Sequence, residues 1–142
     1  MSSAEKAIKL RKRLISTIAM AQSGFLYAPA SFKVTPIDTI FEIVNGCGAA
    51  GAKVDFVPDT IWGTRITYSC LIHDFMYEEG HTIEDKDEAD RVMLNNNLRI
   101  IDRACKEKWY KPKKLMRFRA KTYKKLLEWY GGPAFWANKP GQ

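Results

Sequence analysis

Apolar residues recur along this chain mostly at steps of three and four, and strict alternation is scarce. That spacing predicts helices rather than half-buried strands. Ala7, Leu14, Ile18 and Ala21 line one side of a helix over 4–22. Gly24, Pro29 and Pro36 then mark a loop over 23–39. The short apolar segment 37–44 suits a helix or a strand. The Gly/Ala-rich stretch 45–52 predicts a tight loop, since glycine adopts backbone angles that other residues avoid. Pro58 keeps 54–63 irregular. A helix follows over 67–79, ended by Gly80 as a residue free to turn left-handed. A longer helix runs from 85 to about 108. Its start carries Asp85-x-x-Glu88, the form of a reciprocal cap with an acid in place of Ser or Thr. A last helix over 113–130 is stopped by Gly131-Gly132-Pro133. The expected fold class is all-α, within a single domain over 1–142.

Composition agrees with a folded chain. Of 142 residues, 46% are hydrophobic and 27% charged, and no apolar run is long enough to span a bilayer. Charge changes the picture more. The net +7 favours an anionic partner, and it is unevenly placed. Residues 74–102 hold nine acids and three bases, whereas 106–125 hold ten bases and one acid. A solvated helix face accounts for the basic segment as well as a phosphate-meeting surface does. The aromatics interleaved with it, Trp109, Tyr110, Phe118, Tyr123, Trp129 and Tyr130, suit a headgroup layer or a core equally. The basic start followed by Ala19-Met20-Ala21 has a faint likeness to a signal peptide, but Ser16 and Thr17 interrupt the apolar stretch, and an amphipathic helix accounts for it better. Three cysteines allow one bridge and a spare thiol, and no zinc-finger spacing is present.

The chemistry concentrates on the helix over 67–79. Cys70, His73, Asp74 and Tyr77 stand at i, i+3, i+4 and i+7, which puts a thiol, a base, a carboxylate and a phenol on one side. A helix built only for packing would hold Leu or Ile there. On the next helix Asp90 falls among Met93, Leu94, Asn97, Leu98 and Ile101. A carboxylate in such surroundings needs a partner to stay ionised, and His73 and Tyr77 are natural donors. Asp85 and Asp87 suit the helix dipole. The run Gly46 to Gly51 matches G-x-G-x-x-G, but no helix opens on it and no strand–helix–strand unit surrounds it, so a dinucleotide site is rejected. Its carbonyls with Asp74 and two waters would instead satisfy a hard cation such as Ca²⁺. Cys47 and Cys70 are either bridged, holding the loop over the His-Asp face, or two separate thiols. Cys105 has no base nearby in sequence and is expected to pack.

These residues resemble secreted-type phospholipase A2, in the manner of its short bacterial and viral members. The resemblance covers roughly 45–101 and rests on the Gly46-Cys47-Gly48 loop, Cys70-x-x-His73-Asp74-x-x-Tyr77 and Asp90-Arg91. It implies two antiparallel helices carrying the His-Asp site, with N- and C-terminal helices around them. It implies His73 as general base, Asp90 orienting it and Tyr77 hydrogen-bonded to that carboxylate. Calcium would be held by Asp74 and the carbonyls of Gly46, Gly48 and Ala50. The Gly48 N–H would face the oxyanion, and Cys47 would be bridged to Cys70. The implied reaction is calcium-dependent hydrolysis of the sn-2 ester of glycerophospholipids, at an anionic membrane surface, by a secreted or virus-associated protein. The chain departs from the family in having fewer cysteines, in Ala50 where glycine is common, in Ala89 where cysteine is common, and in a longer separation between loop and helix. Three rival readings are an inactive phospholipase-like binding or virion-associated protein, a basic nucleic-acid-binding module, and a His-Asp metal phosphohydrolase. The last needs upstream histidines, and 1–72 has none.

Overall fold

The computed structural model describes residues 2–49, 58–137 and 139, without the side chains of 45–49. The described residues form helices α1 (Ser3–Gln22), α2 (Ala30–Val34), α3 (Ile37–Ala49), α4 (Thr67–Glu79), α5 (Ile83–Glu107), α6 (Lys113–Tyr130) and α7 (Gly132–Trp136). A small hairpin of β1 (Thr60–Ile61) and β2 (Thr64–Arg65) precedes α4. The class is all-α, as the spacing of apolar positions predicts. No described helix is long and apolar enough to cross a membrane.

The central pair is α4 and α5, joined by three residues. Ser69 hydrogen-bonds Asn97, and His73 meets Asp90, so contacts along the pair run in reversed order. Helices α1 and α3 cover α4 on one side, and α6 packs along α5. The core is continuous through these contacts. Leu14 of α1, Phe32 of α2, Ile40 of α3, Ile72 and Phe75 of α4, Ile101 of α5 and Met116 of α6 are all fully buried in one cluster. Phe32 and Phe75 meet edge to face at 5.2 Å. Cys105 packs with its Sγ 3.9 Å from Met116 Sδ.

Five local expectations are corrected. The predicted loop over 45–52 is helical as far as Ala49, while 50–57 lie outside the described residues. The apolar stripe of α3 explains the extension: each helical glycine costs only about 1 kcal/mol against alanine, and packing of α3 on α4 outweighs that. The predicted loop over 23–39 contains α2, which buries Phe32. Within the stretch expected to be irregular, Thr60 pairs Arg65 and Ile61 pairs Thr64 around Trp62-Gly63. Both turn residues have positive φ, 47° and 73°, the type I′ geometry that matches strand twist. Gly80 is not left-handed, with φ −70° and ψ 152°. It is glycine for space, because a Cβ there would lie 2.7 Å from the Phe135 ring.

The fifth correction is the start of α5, which lies upstream of the Asp85/Glu88 pairing. Thr82 is the N-cap, accepting from the Asp85 N–H at 3.1 Å, and Asp85 accepts back from the Thr82 N–H at 3.1 Å. A hydroxyl at the cap with an acid three residues on satisfies two orphan donors at once. Thr82→Ala is expected to cost about 1 kcal/mol, read as a lower Tm with unchanged helical content. The backbone N–H groups of His81 and Thr82 hold the Asp85 carboxyl below its usual pKa. Its share of the stability is therefore complete above the ordinary carboxylate range and is lost as pH falls through the lowered value. Urea titrations of wild type and Asp85→Asn should converge on acidification.

Candidate active site around His73 and Asp90

Within the side shared by Cys70, His73, Asp74 and Tyr77, helix α4 turns His73 and Tyr77 inward and leaves Asp74, about 100° round the axis from His73, at its rim. His73 and Tyr77 are buried, whereas the Asp74 side chain is 22% exposed. Asp90, on the facing side of α5, is 1% exposed and is the hub of the site. Its Oδ1 accepts from His73 Nε2 at 2.9 Å and from the Tyr77 hydroxyl at 2.7 Å. An ionised carboxylate only accepts, so the Nε2 proton lies on this bond, and in the neutral ring Nδ1 carries the lone pair. That nitrogen looks toward Asp74, whose Oδ1 is 4.0 Å away.

The electrostatics follow from burial and neighbours. Burial alone would push the Asp90 carboxyl up, but hydrogen bonds from His73, Tyr77 and Lys86 outweigh it and hold the pKa below the usual value. Burial works against charging His73, yet the Asp74 and Asp90 carboxylates prevail and its pKa lies above the ordinary imidazole value. Burial and the adjacent Asp90 charge push the Tyr77 phenol far above its usual range, so it remains a donor. The result is an ionised carboxylate steadying a basic imidazole, with one nitrogen of that ring available to a reacting proton.

The walls of the site are also built by side-chain fit. Tyr77 stacks tilted on the His73 ring at 4.0 Å between centroids and meets Phe135 edge-on at 5.2 Å. Tyr77, Ala89 and Phe135 form a small buried cluster behind the carboxylate. Gly131 at the end of α6 gives the phenol its room, because a Cβ there would lie 2.6 Å from the Tyr77 hydroxyl. Lys139 donates to the Tyr77 carbonyl.

The sequence reading names His73, Asp74, Tyr77 and Asp90, and these stand together. Gly46 and Gly48 lie on helical backbone of α3, and Ala50 lies outside the described residues. Helical backbone turns N–H groups back along the axis. The oxyanion role expected of the Gly48 N–H therefore does not follow from α3, and no step is assigned to it. The Asp74 carboxylate at the rim is the kind of hard oxygen donor that a cation such as Ca²⁺ takes. No group of three or more His, Cys, Asp or Glu side chains among the described residues is arranged to hold a metal. The bridge implied between Cys47 and Cys70 falls on the Cys47 side chain, outside the described residues; Cys70 is half-buried.

One residue of the site escaped the sequence reading. Lys86 is 3% exposed, and its Nζ donates to Asp90 Oδ2 at 2.9 Å. It reads in sequence as one base among many acids; the available signal is its i, i+4 spacing to Asp90 on one helix.

Away from the site, α6 presents a second feature. Lys113, Lys114, Arg119, Lys121 and Lys125 are exposed, and among them Leu115, Phe118, Trp129 and Tyr130 are 54–66% exposed. Trp109, ahead of α6, is 87% exposed. Comparison with known protein families, curated proteins and solved structures finds no match to this chain.

Proposed function

We propose that this protein is a phospholipase A2-type hydrolase that cleaves the sn-2 ester of glycerophospholipids with calcium. The reading rests on the resemblance of the His73-Asp74-x-x-Tyr77 and Asp90 pattern. Its main support is the bonding around Asp90: one carboxylate oxygen shared by His73 and Tyr77, leaving His73 Nδ1 beside Asp74. In this reading α4 and α5 are the antiparallel pair that carries the chemistry. His73 Nδ1 takes a proton from the attacking water, and Asp90 holds the ring's tautomer and balances the imidazolium charge as it forms. Tyr77 keeps Asp90 oriented. Asp74 and the backbone carbonyls of Gly46, Gly48 and Ala50 would hold the cation. Bound there, calcium supplies Lewis-acid polarisation of the ester carbonyl and a counter-charge for the phosphate.

The experiment is fatty-acid release from mixed-chain phosphatidylglycerol vesicles, in calcium and in chelator. Release of the sn-2 chain only in calcium, abolished by Asp74→Lys, supports the reading. Absence of release, or release indifferent to both changes, rejects it and leaves an inactive phospholipase-like binding protein as the better account.

The partner surface in this proposal is an anionic bilayer met by α6. Its charge complements the lipid headgroups, and its exposed Leu115 and Phe118 suit an apolar layer better than a second, equally cationic copy of the chain. Each Lys near an anionic surface contributes about 1 kcal/mol. The triple change Lys114→Gln, Lys121→Gln and Lys125→Gln is therefore expected to weaken phosphatidylglycerol vesicle binding by about 100-fold in co-sedimentation. Tighter binding to duplex DNA than to vesicles, falling steeply with salt, would point to the nucleic-acid reading instead.

A further inference from the structure

Lys86 takes no part in the chemistry above, yet it is the most deeply buried cation among the described residues. A buried ammonium must be paired and hydrogen-bonded, or the loss of hydration destabilises the fold. Lys86 meets this demand with two bonds. One runs to Asp90 Oδ2 at 2.9 Å, and the other to the Leu127 carbonyl of α6 at 2.8 Å. Its Nζ also lies 5.9 Å from the centre of the Tyr77 ring. The Leu127 carbonyl belongs to the last turn of α6 and also accepts the Gly131 N–H at 2.9 Å. A cation is favoured at that negative end of the helix.

The division of labour on Asp90 is the informative point. His73 and Tyr77 share Oδ1, and Lys86 takes Oδ2. Two donors on one oxygen leave a carboxylate free to rock about its Cβ–Cγ bond. A third on the other oxygen, anchored to a separate helix, stops that motion. Fold stability by itself does not call for this arrangement, because well-packed apolar residues replace buried ion pairs without loss in many proteins.

We propose that Lys86 is a positioning residue: a strut from the end of α6 that locks the Asp90 carboxylate and so holds the His73 ring in its working orientation. This deepens the hydrolase reading and rests on it for the kinetic consequence. The lock itself is a property of the fold and is measurable without any activity.

The test uses the full chain at one fixed pH, with Lys86→Met, Lys86→Arg and Asp90→Asn, each checked for helical content. Nuclear magnetic resonance with ¹⁵N-histidine reads the His73 Nε2–H proton directly. It should be sharp and protected from exchange in wild type and Lys86→Arg, and broadened or lost in Lys86→Met. If Lys86→Met does not fold, Lys86→Gln keeps a donor for Leu127 while removing the positive charge that faces Asp90, and the same broadening is expected. A His73 proton as sharp as wild type in the folded uncharged variant overturns the proposal. In the vesicle assay the uncharged variant should lower kcat about tenfold, with KM within about twofold. In the Asp90→Asn background it should have no further effect, since Lys86 acts through that carboxylate. Fully multiplicative losses would overturn the proposal. If wild type releases no fatty acid, the hydrolase reading fails and the resonance still decides the role of Lys86.

Discussion

His73→Gln is expected to lower calcium-dependent sn-2 release by about 10³-fold, the middle of the range for loss of a positioned general base. The fall should appear in kcat rather than KM, because His73 is buried beneath Asp74 and has little surface with which to hold a lipid. Glutamine retains an amide N–H that can reach Asp90, while Tyr77 and Lys86 continue to satisfy that carboxylate. Helical content and Tm should therefore stay near wild type. Initial rates on vesicles, alongside a thermal melt, check both halves. An unchanged rate would remove His73 from the mechanism. A rate lost together with the fold would be answered by His73→Asn, which is smaller and strains the site less.

The second large effect is structural. Phe75→Ala is expected to destabilise the fold by about 4 kcal/mol, lowering Tm by roughly 10–15 °C. Phe75 is fully buried, one helical turn from Leu71 and Ile72, and its ring meets Phe32 edge-on. Its removal leaves a cavity between α4 and α2, beside the Phe32 ring. Near 20 °C the remaining folded protein should keep the bonding around Asp90, since Phe75 points to a different face of α4 from His73 and Tyr77. Denaturant unfolding followed by circular dichroism gives the stability change. A loss under 1 kcal/mol would mean that the core at this point is poorly packed.

The bounds of α4 and α6 could be read from the chain to the residue, because a sustained apolar stripe and abrupt glycine stops leave little freedom. The partners of Asp90 were legible for a similar reason. A carboxylate among apolar neighbours has few ways to remain ionised, and His73 and Tyr77 were the donors on the adjacent helix. What could not be read depended on distant parts of the chain. Gly80 looks like a helix stop, but its lack of a side chain answers to Phe135, 55 residues away. The α5 start passes over Asp85/Glu88 because Thr82 supplies a hydroxyl cap, and Glu88 pairs with Arg91 instead. The helical course of 45–49 continues α3, a helix whose packing on α4 outweighs a local bias toward a turn. Lys86 was hidden by its setting, since a lysine in an acidic segment looks like a solvated charge until α6 covers it.

The dependence of the site on Phe135 and Leu127 has a consequence for synthesis. Asp90 leaves the ribosome roughly 45 residues before Phe135, an interval of roughly 2–9 s at ordinary elongation rates. During that time His73, Tyr77 and Asp90 have all been made, but the carbonyl that anchors Lys86 and the ring that backs Tyr77 have not. The growing polypeptide therefore carries every reactive group without the geometry that makes them a unit, and competence arrives only as the C-terminal helices close over the pair.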